Sequence, residues 1–295
     1  MQVIIDFDGT LTAEETQAEA LAALSLDTLS GEILHVPRAQ LADEYAATRA
    51  RLLAAPQRYA WMVNGLRASY CNEGAFILNT TTLQTLLRAN PAYARAVAAA
   101  YPHAEYDPVV DCTNALFHRH TATLGPAFRP QAARVLNALL RHPSRRPVVL
   151  TNSLGDKVRR LLTTLPLEGE IAVLGDTRQY DMAPDWEQTF PHPQLGPIQV
   201  WPVSRRYSID LRRQVYYTAL QQAAEQDAHL VVVADTLSLP GALPLMMGIP
   251  FCLLRTPYTP RWCARVVREH SFGHVLDRLD DLLCVLDTLE GANHA

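Results

Sequence analysis

The sequence predicts an α/β protein: a central parallel sheet between helical layers, with a large α-helical segment inserted near its start. Three observations carry this. Short apolar runs at residues 3–6, 147–151, 171–174, 230–235 and 250–254 read as strands, and most lack strict alternation, as suits strands covered on both faces. Helical patterns fall beside them at 130–141, 156–165, 211–224 and 275–289. Finally, about 140 residues separate the first two strands, far more than a βαβ crossover needs.

Taking the elements in order, residues 1–13 and 130–295 form the expected core, and 14–129 the inserted helical domain, seated above the carboxyl edge of the sheet. The insertion is rich in alanine and leucine and shows almost no strand pattern. Thr12-x-x-Glu15 and Thr81-x-x-Gln84 resemble capping boxes, and Asn90-Pro91 reads as an N-cap followed by the first helical residue. Residues 236–254 carry no charge, but Pro240, Pro244, Pro250, Gly241 and Gly248 break the run into turn, short helix and strand rather than a membrane span. The proline-rich stretch 180–201 is an excursion with no assigned role.

Composition narrows the class. The chain has 295 residues, enough for one large domain or two modest ones, with 48% apolar and 19% charged residues, as in soluble globular proteins. A net charge of -4 gives no support for a nucleic-acid or anionic-membrane partner. The five cysteines are scattered, without metal-ligand or CxxC spacing, and read as free thiols of a reducing, cytoplasmic compartment. The chain opens directly on a strand, so no signal peptide is expected.

The candidate chemistry lies where the strands end. The first run delivers Asp6 and Asp8 to the turn Gly9-Thr10, and open α/β sheets bind ligands at strand carboxyl ends. One carboxylate could attack phosphorus to give an acyl phosphate while the other protonates the leaving oxygen. Gly9 would permit close approach of a ligand, and Thr10 could offer a hydroxyl and an N–H. Thr151-Asn152-Ser153 places small donors at a helix start, a natural anion seat. Asp235 ends another strand, and beside Asp6 it would make a carboxylate site of the kind Mg²⁺ takes. Arg205, Arg206, Arg212 and Arg213 precede that strand, and Lys157 is the only lysine. Each feature has a plainer reading, as a strand-ending Asp-Gly turn or a helix cap, but their joint order favours phosphoryl transfer.

Three motifs resemble one family. DFDGTLT at 6–12 is similar to the first motif of the haloacid dehalogenase superfamily, VVLTNS at 148–153 to its second and VVVADT at 231–236 to its fourth. The first is specific, while the other two persuade only in this order. The insertion falls where the family's type 1 cap does. The resemblance implies a Rossmann-like core, Asp6 as nucleophile, Asp8 as general acid/base and Thr151 as phosphate ligand. It also implies Mg²⁺ on Asp6, Asp235 and the main-chain carbonyl of Asp8. Two features depart from the pattern. No acid follows Asp235 within Leu237-Ser238-Leu239-Pro240, and the third-motif lysine is replaced by arginine in DLRRQVYYTAL at 210–220. Arg213 or Arg212 is the expected substitute, with Lys157 as rival.

The resulting expectation is a Mg²⁺-dependent phosphatase acting on a small-molecule phosphate ester, bound by Thr10, Thr151, Asn152 and one of Arg212, Arg213 or Lys157. A sugar-phosphate mutase and a catalytically silent binding protein are the alternatives. Asp8 and Thr10 weigh against a dehalogenase, and the lack of a lysine in the insertion weighs against a phosphonate hydrolase. His118 and His120 do not share a helical face, so they are read as structure rather than a metal pair.

Overall fold

A computed structural model describes residues 1–125, 127–190 and 199–292. Its strands in chain order are β1 (Gln2–Ile5), β2 (Ala60–Val63), β3 (Leu66–Tyr70), β4 (Arg146–Leu150), β5 (Ala172–Leu174), β6 (Val200–Pro202), β7 (Ser208–Asp210), β8 (Leu230–Ala234), β9 (Phe251–Leu254) and β10 (Gly273–Leu276). The helices are α1 (Ala18–Thr28), α2 (Arg38–Ala54), α3 (Ala75–Ala89), α4 (Pro91–Ala100), α5 (Pro108–Thr121), α6 (Ala132–Arg141), α7 (Gly155–Leu162), α8 (Gln214–Gln226), α9 (Ala242–Met246), α10 (Arg261–Glu269) and α11 (Asp281–Ala292).

Six strands form one sheet in the order β10-β9-β8-β1-β4-β5, every neighbouring pair parallel. Pleating divides their side chains between two apolar layers. Val3, Ile5, Val149 and Val233 pack with Leu136, Leu139, Val158 and Leu286 of α6, α7 and α11. Ile4, Leu150, Val232 and Phe251 turn the other way, onto Leu220, Leu243 and Val267 of α8, α9 and α10. The architecture is therefore a Rossmann-like three-layer α/β core. All five strands read from the sequence belong to this sheet.

The long connection from β1 to β4 holds α1–α5 around an apolar core of its own, including Leu29, Leu41, Leu87, Val97 and Cys112. It is not purely helical: β2 and β3 form an antiparallel hairpin. Asn64 and Gly65 turn it with φ 50° and 74°, the paired positive φ that Asn-Gly supplies in two-residue hairpins. Further corrections concern boundaries. Thr81 lies inside α3 rather than capping a helix, because Phe76 and Leu78 already bury that helix's first turn. Thr12 does not cap α1, which begins at Ala18; its hydroxyl instead accepts from Gly9 N and donates to Phe7 O. Asn90 does cap α4, accepting from Ala92 N at 3.0 Å. The C-terminal helical pattern starts too early, since residues 273–276 pair with β9 as the edge strand β10. In the 180–201 stretch, residues 191–198 lie outside the described residues. Tyr180 and Met182 pack against Val63, Ala68 and Val110 of the insertion. No helix among the described residues is long and apolar enough to cross a membrane, and all five cysteines are free.

Two buried ionisable side chains clamp the insertion to the core at Ser238, in the turn after β8. Arg213, 1% exposed, donates to Ser238 O and Gln179 O in the core (3.0 and 3.1 Å) and to Ala68 O of β3. Burial pushes its guanidinium down to about 10, which still leaves it charged at neutral pH. From the insertion side Glu73, in the turn after β3, accepts from Ser238 N (2.8 Å), Ser238 Oγ (2.5 Å) and Tyr70 N (3.1 Å). Arg213→Met would leave three carbonyls with an apolar neighbour in place of a charged donor, a loss expected at about 3 kcal/mol or more. Urea unfolding of the variant should show that loss; unchanged stability would mean that the clamp contributes nothing.

Candidate active site

β1 ends at Ile5, and the chain then turns sharply, with Asp6 and Asp8 extended and Gly9 at φ +80°. The turn is anchored by Asp6 N donating to Val233 O of β8 at 2.9 Å. Gly9 is required twice over. Its φ lies in the left-handed region, and an added Cβ would meet the Asp235 carboxylate, with Oδ2 at 2.3 Å. The acid ending β8 thus lies directly against the turn ending β1.

The turn after β4 completes a third side. Thr151 N donates to Leu174 O at 3.0 Å, and Ser153 N donates to Thr151 Oγ1 at 3.1 Å, which fixes the loop ahead of α7. Ser153 Oγ donates to Asp8 Oδ2 at 2.6 Å. Lys157, one turn into α7, donates to Ser153 Oγ at 3.0 Å and lies 3.7 Å from Asp8 Oδ1. Asn152 Oδ1 accepts from Gln179 N at 2.7 Å. Thr10 is fully buried, and its Oγ1 lies 3.5 Å from Asp6 Oδ2.

Asp6, Asp8, Thr151, Asn152 and Asp235 face a pocket with about 710 Å³ of space between its walls, part of it open to solvent, whereas Thr10, Ser153 and Lys157 lie behind its lining. Asp6, Asp8, Thr151, Asn152, Thr236 and Asp235 line its floor, joined by Glu14. The insertion supplies the roof: Trp61 of β2, Phe76, Ile77 and Thr80 of α3, and Asn114, Phe117 and His118 of α5. Tyr180 and Leu239 close the side.

The floor is strongly acidic. Burial raises the Asp6 carboxyl well above its ordinary range, and the nearby Asp8 charge adds to this. Burial likewise raises Asp235, helped by Asp6 and opposed by Arg129. Glu14 is raised by burial, Asp235 and Asp8, although Ala75 N and Phe76 N donate to its Oε1 (2.5 and 3.3 Å) and favour the charged form. Among the described residues no three His, Cys, Asp or Glu side chains converge as a metal-binding group. Asp6 and Asp235 are nevertheless two hard oxygen donors beside one turn, and Mg²⁺ is commonly held by one or two carboxylates plus waters and substrate phosphate. Their mutual repulsion is what a cation there would relieve, so the residues present fit it.

The structure brings together Asp6, Asp8, Thr10, Thr151, Asn152, Asp235 and Lys157, and it places the two arginines elsewhere. Arg213 is spent on three carbonyls in the clamp described above. Arg212 pairs with Asp210 at 2.6 Å and donates to Pro184 O. Neither lines the pocket, because each guanidinium is taken up by these partners. Among the described residues, Lys157 is the cation beside Asp8, and Arg129 acts on Asp235.

Sequence reasoning missed Glu14, whose neighbour Glu15 it assigned to a cap. Glu15 instead pairs with Arg129 at 3.2 Å, and Arg129 also donates to Gly9 O (2.6 Å), bracing the turn after β1 from the point where the chain re-enters the core. Glu14 reaches a helix sixty-one residues ahead, a pairing that no local spacing encodes. His118 lines the pocket, whereas His120 is buried against Thr28 Oγ1 at 3.0 Å.

No protein-family model matches the chain, and no curated protein matches it. Solved structures do overlap it. One is a Bacillus subtilis protein assigned as the HAD-hydrolase YfnB, in a magnesium-bound form, at 13% identity over 97% of both chains with a TM-score of 0.48. A 2-haloacid dehalogenase from Pseudomonas syringae overlaps at 17% identity over 98% of both chains, TM-score 0.47. A Haemophilus somnus protein assigned as a phosphoglycolate phosphatase overlaps at 13% identity over 97% of both, TM-score 0.46. The likeness is to haloacid dehalogenase-type chains. At these scores it decides nothing about activity, which is argued from the site itself.

Gly9→Ala tests the geometry of that site. The strained φ alone costs about 1–2 kcal/mol, and the new methyl would also displace the Asp235 carboxylate. Urea unfolding should show a loss of about 2 kcal/mol or more; a variant as stable as the wild type would contradict the close packing of Asp235 on the turn.

Proposed function

We propose that this protein is a phosphatase of the haloacid dehalogenase type, hydrolysing a small phosphomonoester through an aspartyl-phosphate on Asp6. The observation that carries the reading is the convergence of three adjacent strand ends on one pocket: Asp6 and Asp8 after β1, Thr151 after β4 and Asp235 after β8.

An oxygen of Asp6 attacks phosphorus opposite the ester oxygen, and the bond from phosphorus to the leaving alcohol breaks. Asp8, held by Ser153 Oγ at 2.6 Å, gives its proton to the departing oxygen. It then takes a proton from the water that attacks the aspartyl-phosphate; the bond from phosphorus to Asp6 breaks, releasing phosphate and restoring the carboxylate. Thr151 and the amides at the start of α7 bind phosphoryl oxygens, and Lys157 supplies positive charge on the same side. Asp6, Asp235 and the main-chain carbonyl of Asp8 would hold Mg²⁺, whose charge would offset that of the phosphoryl oxygens. The roof from the insertion limits access of bulk water.

Phosphate release from a panel of phosphomonoesters, with and without Mg²⁺, tests the reading. Metal-dependent turnover should fall at least about a thousandfold in Asp6→Asn and about a hundredfold in Lys157→Met, both remaining folded. Folded wild-type protein that releases no phosphate from any ester in Mg²⁺ would overturn the reading in favour of a mutase or a binding protein.

A further inference from the structure

The charge and texture of the pocket extend the proposed function to a substrate class, and this inference rests on that reading. Among the described residues lining the pocket there is neither lysine nor arginine, while four are carboxylic acids: Asp6, Asp8, Glu14 and Asp235. Lys157 sits behind Ser153 and Asp8, on the phosphate side, with its Nζ 5.6 Å from the Phe117 ring centre.

The roof offers no second cation. Burial pushes His118 below the ordinary histidine range, opposed by Asp176 and Asp8 and helped by Lys157, which favours the neutral ring at neutral pH. Beyond it the pocket continues into an outer recess that shares Asn114, His118 and Tyr180. Among the described residues the one arginine lining that recess, Arg178, is held between Glu105 (2.5 Å) and Asp176 (3.9 Å). A second phosphate or a carboxylate on the leaving group would therefore meet acids and no free cation on its way in or at rest.

What the roof does offer is flat apolar surface. Trp61 and Tyr180 pack with ring centres 5.1 Å apart, and Phe76 meets Phe117 edge to face at 5.7 Å. Burial drives the Tyr180 hydroxyl up to about 12, so this wall stays uncharged. Thr80, Asn114 and His118 are polar groups set among these rings. Such a wall rewards a planar apolar body through burial and ring-to-ring contact.

We infer that the substrate is the phosphate ester of an alcohol that carries an aromatic body and no anionic group. Sugar bisphosphates and phosphorylated hydroxy acids are thereby disfavoured, because their second anion has no partner here. An uncharged or cationic substituent on the aromatic body is compatible with the acids of both recesses.

The test compares benzyl phosphate, 4-(aminomethyl)benzyl phosphate and 4-carboxybenzyl phosphate in Mg²⁺, with methyl phosphate as reference. The first two should exceed the carboxylate compound at least about tenfold in kcat/KM, and benzyl should exceed methyl by a similar factor. Trp61→Ala should bring the benzyl-to-methyl ratio of kcat/KM most of the way to one, and a ratio unchanged from wild type would count against the aromatic wall as the source of the preference. Asn114→Arg should narrow the gap for the carboxylate compound. Equal or preferred turnover of 4-carboxybenzyl phosphate would overturn the inference while leaving the phosphatase reading intact. Absence of turnover with all four esters would instead count against that reading. In that case binding of benzylphosphonate against 4-carboxybenzylphosphonate, followed by calorimetry, still decides the inference: a preference of about tenfold for the uncharged ligand supports it, and no preference overturns it.

Discussion

Four carboxylic acids line one pocket, and most of the architecture around it answers the cost of that arrangement. Asp6 and Asp235 follow neighbouring parallel strands in which Ile5 lies beside Val233, so both acids emerge at the same edge of the sheet. Burial raises both, with the Asp8 charge adding at Asp6 and the Asp6 charge adding at Asp235, where Arg129 opposes the rise. Such a cluster persists because the surrounding fold holds it in place, and because a protonated member or a bound cation relieves it. Lys157 approaches Asp8 through Ser153, Arg129 grips Gly9 and Glu15, and the first amides of α3 reach Glu14. Each of these partners comes from a different element, which makes the site a product of the whole chain rather than of the opening motif.

The insertion is fastened as firmly as the floor. Glu73 and Arg213 take hold of one residue, Ser238, from opposite sides, only three positions after Asp235. The acid absent from the sequence after Asp235 is in a sense supplied from the insertion, but it serves attachment and lines no part of the pocket. Tyr70 adds to the joint: it accepts from Ser208 N at 2.9 Å and packs edge-on against Tyr207 and Trp262. A roof held in this way keeps its aromatic wall at a fixed height above the acids, which is why the wall can serve as a criterion of substrate shape.

How much of this was legible depends on the range of the interaction concerned. The five apolar runs and their terminal acids were readable because strand burial and turn chemistry are local. The hairpin at residues 60–70 was readable too, from Asn64-Gly65, but the alanine-rich surroundings masked a short and only partly buried β2. Edge strand β10 has one buried residue, Leu276, and its apolar pattern merges with the helix that follows. Glu14, Arg129 and the Glu73 half of the clamp could not be read, since each joins residues more than sixty apart. Arg213 was misplaced for a related reason. A basic residue ahead of the last motif strand has the right sequence position for the missing lysine, yet burial among main-chain carbonyls gives it another task, and the single lysine already stood one turn from Ser153.

The central claim is that Asp6 becomes phosphorylated. Wild-type protein mixed with a turned-over ester and quenched in borohydride would have any acyl phosphate reduced to the alcohol, and peptide mass spectrometry would locate the change. The account predicts the modification at Asp6 and its dependence on substrate. Modification at Asp8, Glu14 or Asp235, or steady phosphate release with no modified carboxylate at all, would contradict it.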